Sequence, residues 1–347
     1  MVANEMFMDS ALQRSSVVSH AKLLNYTPKS ASAPQATINL TINQVATPTL
    51  TLPKYTSFMS EAVDGVNYTF VTTDSSTVAV SSNTASFYDV TIKQGIPTTF
   101  SYVVNSNDNP TYKFRIPEKN VDTSTLLINV QKSSIDSSYD TYTLSTNPLS
   151  LNSSSKVYFL QESTDGYYEI YFGDGYVGQN LANGNIVQVT YLDTVGSIAN
   201  NIQKYVFSDP VGGLFRSNVK VTVTQGSYGG TDKEDIETIR FRAPYYHTAQ
   251  NRAVNTSDYE TLITKDFPNV ESVSVWGGEE NNPVVYGKVY VSLKTRGFYT
   301  LTDLEKANIK NALIKNRNVL TVIPEIVDPE YVFILVSGKV TYNPTLT

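Results

Sequence analysis

Few residue types in this chain are able to do chemistry. Two histidines, His20 and His247, are its whole imidazole supply, and cysteine is absent. Thiolate nucleophiles, disulfides, cysteine–zinc sites and iron–sulfur clusters are therefore excluded, and histidine-centred catalysis is poorly provided for. His20 lies on an amphipathic stretch and His247 follows Tyr245 and Tyr246, where surface or packing roles suffice. Carboxylates remain. Glu162, Asp165, Glu169 and Asp174 crowd one stretch, and a carboxylate pair is the hydrolytic device that needs neither His nor Cys. A glycan hydrolase using Asp165, Glu169 or Asp174, or an adhesin binding calcium at Asp165 and Asp174, are thus the rival functional readings. A simpler one needs no ligand: Gly173-Asp174-Gly175 follows a strand ending at Phe172 and reads as a hairpin turn, because Asp-Gly tolerates positive φ. We read Phe172, Gly173, Asp174 and Gly175 as architectural, and expect no catalytic residue, cofactor or metal. No Walker loop or dinucleotide fingerprint is present, and Gly212-Gly213 and Gly229-Gly230 lack the strand–turn–helix setting that cradles phosphate.

The elements that position these residues change character along the chain. Its 347 residues are 40% hydrophobic and only 17% charged, with 24 Tyr and 14 Phe, a balance typical of β-rich proteins. The formal net charge is −6 without a basic block, which argues against a nucleic-acid partner. No run of apolar residues is long enough for a membrane span, and the start lacks the basic region of a signal peptide.

Residues 1–30 read as a helical segment. Ser10 and Gln13 have capping-box spacing, Leu12, Val17, Val18, Ala21 and Leu24 form an apolar stripe, and Pro28 ends the helix. Residues 1–9 read as the tail of another helix, so a natural beginning upstream is expected. From 31 to 205 the period becomes two, with Ile38/Leu40/Ile42, Tyr88/Val90/Ile92, Phe100/Tyr102/Val104 and Val187/Val189/Tyr191 each on one face; this predicts antiparallel sheets carrying the Phe172–Gly175 hairpin. A Gly-rich connector spans 206–230, with Gly229 and Gly230 at its end, and is the candidate hinge. Residues 231–347 predict an α+β two-layer domain: a helix opened by Thr231–Glu234 and closed before Pro244, a second from Ser257, a third capped by Thr302 and Glu305, and strands near 270–276, 286–294, 321–327 and 331–342. The fold class is therefore mixed: an N-terminal helix, a large antiparallel β-rich region and a C-terminal α+β domain. Arg242 and Arg252 flank Pro244 and could pair with carboxylates across a subunit contact or within the chain. Val17, Val18 and Leu24 need a surface to cover, supplied either by other subunits or by the chain's own β region.

Several blocks, in order, resemble the baseplate J-like family, whose members are wedge proteins of contractile phage tails and related injection machines. They are Arg14–Val18 with Leu24–Pro28, Gln94-Gly95, Ile116–Asp122, the Phe172–Gly178 segment, Gly229–Asp232, Arg242–Pro244, Arg252–Val254, Asp258–Glu260 and Phe267–Val270. Their spacing is most like that of the T-even branch. Members of that branch are longer at both ends, and Thr248–Asn251 departs from the basic, glycine-containing approach found in shorter members. The resemblance implies a structural subunit of the virion's tail baseplate, assembled in the host cytoplasm. It also implies self-association as two copies per wedge, contacts with other wedge proteins, joining of wedges into a ring around the hub, and rearrangement on tail contraction. It implies no enzyme activity, small-molecule substrate or membrane insertion.

Overall fold

A computed structural model of the chain describes residues 2–145, 151–208, 210–211, 216–267, 270–295, 300–332, 334–335 and 337–338. A short helix, α1 (Val2–Glu5), precedes α2 (Arg14–Leu23). The expected Ser10–Gln13 cap is displaced. Ser10 Oγ instead donates to the Asn4 carbonyl, and the Glu5 carboxylate accepts from the Leu12 and Gln13 amides ahead of α2.

The first β unit opens with β1 (Gln35–Asn43), β2 (Thr49–Leu52), β3 (Ser57–Ser60), β4 (Thr69–Thr72), β5 (Ser76–Ala79) and β6 (Thr84–Gln94). Alternation in β1 is complete, with Ala36, Ile38, Leu40 and Ile42 wholly buried. In β6 it is broken. A bulge at Asp89 (φ 52°) pairs Leu40 with Phe87 but Ile38 with Val90, so Phe87 and Ile92 point inward while Tyr88 is 73% exposed. An inserted residue flips the facing of everything beyond it, which simple alternation through Tyr88 cannot anticipate.

The chain then leaves this unit for β7 (Ile96–Val103), β8 (Lys113–Arg115), β9 (Val121–Gln131), β10 (Tyr139–Leu144), β11 (Val157–Glu162), β12 (Tyr168–Phe172) and β13 (Ile186–Asp193). These make one sheet in the order β7-β13-β9-β10-β11-β12-β8, antiparallel except between β10 and β11. The sheet curls until its edges meet: Tyr102 of β7 packs on Phe114 of β8 at 5.3 Å, and its hydroxyl donates to the Arg115 carbonyl. Inside lie Ile128, Tyr168, Ile170, Phe172, Val187, Val189 and Tyr191.

The chain returns through β14 (Tyr205–Phe207) and β15 (Val219–Tyr228), which complete the first sheet as β14-β3-β4-β6-β1-β15. Much of the segment read as a connector is therefore edge strand, with Val219, Val221 and Val223 packed against the first core. Gly212 and Gly213 lie outside the described residues.

The C-terminal unit contains α3 (Ile236–Ala249), α4 (Thr256–Asp266), β16 (Val270–Gly277), β17 (Lys288–Thr295), α5 (Asp303–Arg317) and β18 (Ile323–Val327). Its sheet β16-β17-β18 shares a core with α4 and α5 through Leu262, Ile263, Val291, Leu293, Ile309 and Leu313. Capping boxes start α4 (Asn255 with Asp258) and α5 (Thr302 with Glu305). The α3 helix is capped by Asp235 rather than by Thr231, and it runs through Pro244 instead of stopping before it. Residues 331–332, 334–335 and 337–338 form no strand, and the rest of the strand expected over 331–342 lies outside the described residues. Among the described residues, no helix is long and apolar enough to cross a membrane.

Candidate functional site

Each passage of the chain from one unit to another runs through a single junction. Residues 29–34 enter the first β unit beside residues 229–234, which leave it. Ser32 and Thr231 exchange backbone hydrogen bonds at 2.9 and 3.1 Å, and the Glu234 amide donates to the Lys29 carbonyl. The inserted unit begins and ends at the same place. The Gln94 amide donates to the Pro34 carbonyl, and its side-chain oxygen accepts from Thr194 Oγ1 and the Val195 amide. Asp122, at the start of β9, accepts from the Ala33 amide at 2.9 Å. Asp232 accepts from the amide and hydroxyl of Ser197.

Two buried carboxylates sit at the centre. The side chain of Glu162 is 0% exposed and meets Arg14 through two contacts of 2.9 and 3.0 Å and Lys233 through one of 2.9 Å. Burial pulls the Lys233 ammonium below the usual lysine range, with Glu162 acting against it. Glu234 accepts from the Tyr26 hydroxyl at 2.8 Å, the Lys29 amide at 2.9 Å and Arg242 at 3.2 Å, while its own carbonyl takes the Arg14 guanidinium at 2.5 Å. Burial, reinforced by Glu234, raises the Tyr26 phenol well above its ordinary range. Arg14 of α2 thus joins β11 of the inserted unit to the approach of α3. Removing one partner of a buried ion pair leaves an uncompensated charge, at a cost of about 3–5 kcal/mol.

A second layer closes over Tyr26. Its ring meets Tyr246 of α3 edge-on at 5.7 Å, and Lys265 of α4 stands 3.2 Å over Tyr246. Burial lowers that ammonium to about 8. The arrangement fixes three units and one helix against each other.

The sequence-derived residues fall as follows. Val17 and Val18, weighed as a subunit contact, are buried within the chain against Ile239 and Ala243 of α3, with Leu24 partly covered in the same cluster. Their apolar cover comes from the C-terminal unit, while Arg14 and Val18 of the same helix also border the β region at Glu162. Arg242 pairs inside the chain with Glu234, whereas Arg252 is exposed and donates to Gln250 Oε1. Gly229 has φ +78°; a Cβ on Gly230 would lie 2.4 Å from Pro34 Cγ, and the Asn200 amide bonds both its N–H and its carbonyl.

The Phe172–Gly175 segment is not a hairpin between β12 and β13, because β9, β10 and β11 separate those strands in the sheet. It is a loop closed on itself. Asp174 Oδ1 accepts from the Tyr176 and Val177 amides, each at 2.9 Å, and the Gly175 amide donates to the Gly178 carbonyl. Phe172 still shares one core with Val187, Val189 and Tyr191. The other acids also have intrachain partners: Asp165 pairs with Arg115 at 2.7 Å and Glu169 accepts from Gln161 at 2.9 Å.

Sequence reasoning passed over the roles of Arg14, Glu162 and Glu234. Glu234 reads as a capping residue and Glu162 as a loose acid, because Arg14, which binds the Glu162 carboxylate and the Glu234 carbonyl, stands 148 and 220 residues away from them.

Comparison with known proteins adds three findings. Residues 104–206 match the family model described as bacteriophage baseplate wedge protein gp6, third domain, and residues 255–327 match baseplate structural protein gp6, C-terminal domain I. The chain is 28% identical to the baseplate wedge protein gp6 of Enterobacteria phage T4 over an alignment covering 97% of this chain and 53% of that protein, so it spans about half the length of that relative. A cryo-EM structure of the anti-feeding prophage (AFP) baseplate aligns with 93% of this chain and 63% of its own at 14% identity, with a TM-score of 0.36. What the chain is similar to in sequence is therefore the baseplate wedge protein gp6 family, through two of its domains in order and through one relative that matches 97% of this chain over 53% of its own length.

Proposed function

We propose that this protein is a structural, non-enzymatic subunit of the baseplate wedge of a contractile phage tail, and so part of the virion. The observation that carries the reading is the match to gp6 over 97% of the chain, with two gp6 domain families in register along it. The broader likeness to baseplate J-like proteins belongs to the same proposal. The junction supports it physically, since a chain whose units are locked through saturated buried charges suits load bearing. We further propose that the subunit contacts other wedge proteins and a second copy of itself, is assembled in the host cytoplasm, and helps to join wedges into the ring around the hub.

The test is genetic and structural. Disrupting the gene in its phage should yield tails without complete baseplates, and supplying the protein in trans should restore them. Complete baseplates without it would overturn the reading. Hydrolysis of bacterial glycan by the purified protein, lost in Asp174→Asn, would favour the enzyme instead.

A further inference from the structure

The outer face of the inserted unit carries a shelf that α2 overhangs. On it Phe159 and Tyr171 stack with ring centres 5.1 Å apart and planes 21° from parallel. Tyr171 is the cross-strand partner of Lys113, and Lys113 lines a recess of about 290 Å³ together with Lys22, Ser19, Ser163, Thr164 and Glu169. Both aromatic rings are half-buried, and Leu23, next to Lys22, is 82% exposed.

The charges here do not balance. Glu162, at the floor of the recess, already holds Arg14 and Lys233, and Glu169 is engaged by Gln161. Lys22 and Lys113 form no ion pair among the described residues. Burial and then repulsion from Lys113 depress the Lys22 ammonium, with the attraction of Glu169 a smaller influence. Lys22 and Lys113 face Glu162 and Glu169 across the recess, and Glu162 is already matched by Arg14 and Lys233, so this group of side chains carries an excess of positive charge in a protein whose formal net charge is −6. A concave patch of opposite sign to its molecule, bordered by stacked aromatics, has the composition of an interface centre.

We propose that this shelf docks an acidic segment of a neighbouring tail-protein subunit, with an Asp or Glu carboxylate entering between Lys22 and Lys113 and an apolar side chain covering the Phe159–Tyr171 stack. The proposal rests on the baseplate reading above. A free anion would be held by the lysines alone and would leave the aromatic stack uncovered. A peptide segment uses both, combining charge-assisted hydrogen bonds with apolar burial.

The experiment co-expresses the tagged protein with the baseplate proteins of its own phage and measures how much of each is retained. Three variants are compared: Lys22→Glu with Lys113→Glu, Lys22→Gln with Lys113→Gln, and a control of equal charge change in the first β unit, Lys54→Glu with Lys204→Glu. The charge reversal should cut retention of one partner by about tenfold or more, the glutamine pair by less, and the control not at all. Retention should also fall as salt is raised. If charge reversal disturbs the circular dichroism spectrum, the glutamine pair carries the test. Undiminished retention by a folded variant would overturn the shelf and leave the baseplate reading intact. Retention of no baseplate protein by the unmodified chain would overturn both.

Discussion

At Gly173 an added Cβ would lie 2.3 Å from the Gly178 carbonyl carbon and 2.4 to 2.5 Å from two backbone oxygens. At Gly175 the φ of +89° disfavours a side chain, but the nearest atom, Asn180 Cβ, is 3.7 Å away. Gly175→Ala should therefore cost about 1 kcal/mol, the usual strain of a left-handed residue. Gly173→Ala must displace backbone, and should cost more than about 3 kcal/mol or prevent folding, as the largest overpacking changes do. Urea midpoints of the two variants test that ranking. Asp174→Asn keeps the Oδ1 acceptor for the Tyr176 and Val177 amides and should leave the melting temperature nearly unchanged, whereas Asp174→Ala should lower it. Lys265 supplies a pH signature. Its ammonium titrates near 8 in the folded protein against an ordinary 10.5. Between those values the unfolded chain holds a proton that the folded chain has released, so stability should rise with pH from about 8. Lys233, also depressed by burial, adds the same sign. Tyr26, raised by burial, acts oppositely only above its ordinary pKa of about 10, so a denaturation series up to about pH 9.5 isolates the lysines. Lys265→Met should flatten that rise; an unchanged slope would assign it elsewhere.

Between elements, a buried charge pair couples α2 to β11 through Arg14 and Glu162. Glu162→Gln leaves two cations without a counter-charge and should destabilise by about 3–5 kcal/mol. Adding Arg14→Met to it should cost much less than the sum of the two single changes, a non-additivity that a double-mutant cycle reads directly. Additive costs would mean that the two side chains stand together without depending on each other. How far the elements were legible in the sequence depends on whether their signals are local. The Thr302/Glu305 box is local and marks the start of α5, and alternation marks β1 and β12 because no irregularity interrupts them. Alternation fails at Asp89, where a bulge switches the inward face. Asp-Gly identifies a turn at Gly173–Gly175, but the strand that pairs with β12 is decided by β8 and β11, which the turn residues do not encode. Pro244 reads locally as a stop, yet α3 continues through it with Ile239 and Ala243 packed on α2, so tertiary packing outweighs the lost hydrogen bond. The junction is the least local feature of all: nothing near Glu162 in the sequence announces Arg14 or Lys233.

For the whole molecule the question is where movement occurs if the baseplate rearranges on contraction. The glycines of 206–230 invite a hinge there. In the fold, β15 is instead hydrogen-bonded to β1 along its length, Gly230 is held by both ends of the Asn200 amide, and Ser32 pairs with Thr231 across the neck. Opening that neck would also expose Glu162 and Glu234 or strip them of partners, at several kcal/mol for each pair. We therefore expect the described units to move as one body, with rearrangement at contacts between subunits. Because the chain has no cysteine, a lock can be introduced cleanly. Ser32→Cys with Thr231→Cys replaces a pair that exchanges two backbone hydrogen bonds. Such pairs hold their Cα atoms about 5.5 Å apart, within the disulfide range of about 4.4–6.8 Å. The oxidised variant should melt at a higher temperature than its reduced form, since the bridge closes a long loop of the unfolded chain. Phage carrying it should assemble and contract equally well with the bridge closed or reduced. Contraction blocked only in the oxidised state, and recovered on reduction, would put the moving joint at the neck after all, and Glu162 and Glu234 would then be the charges that its opening has to release.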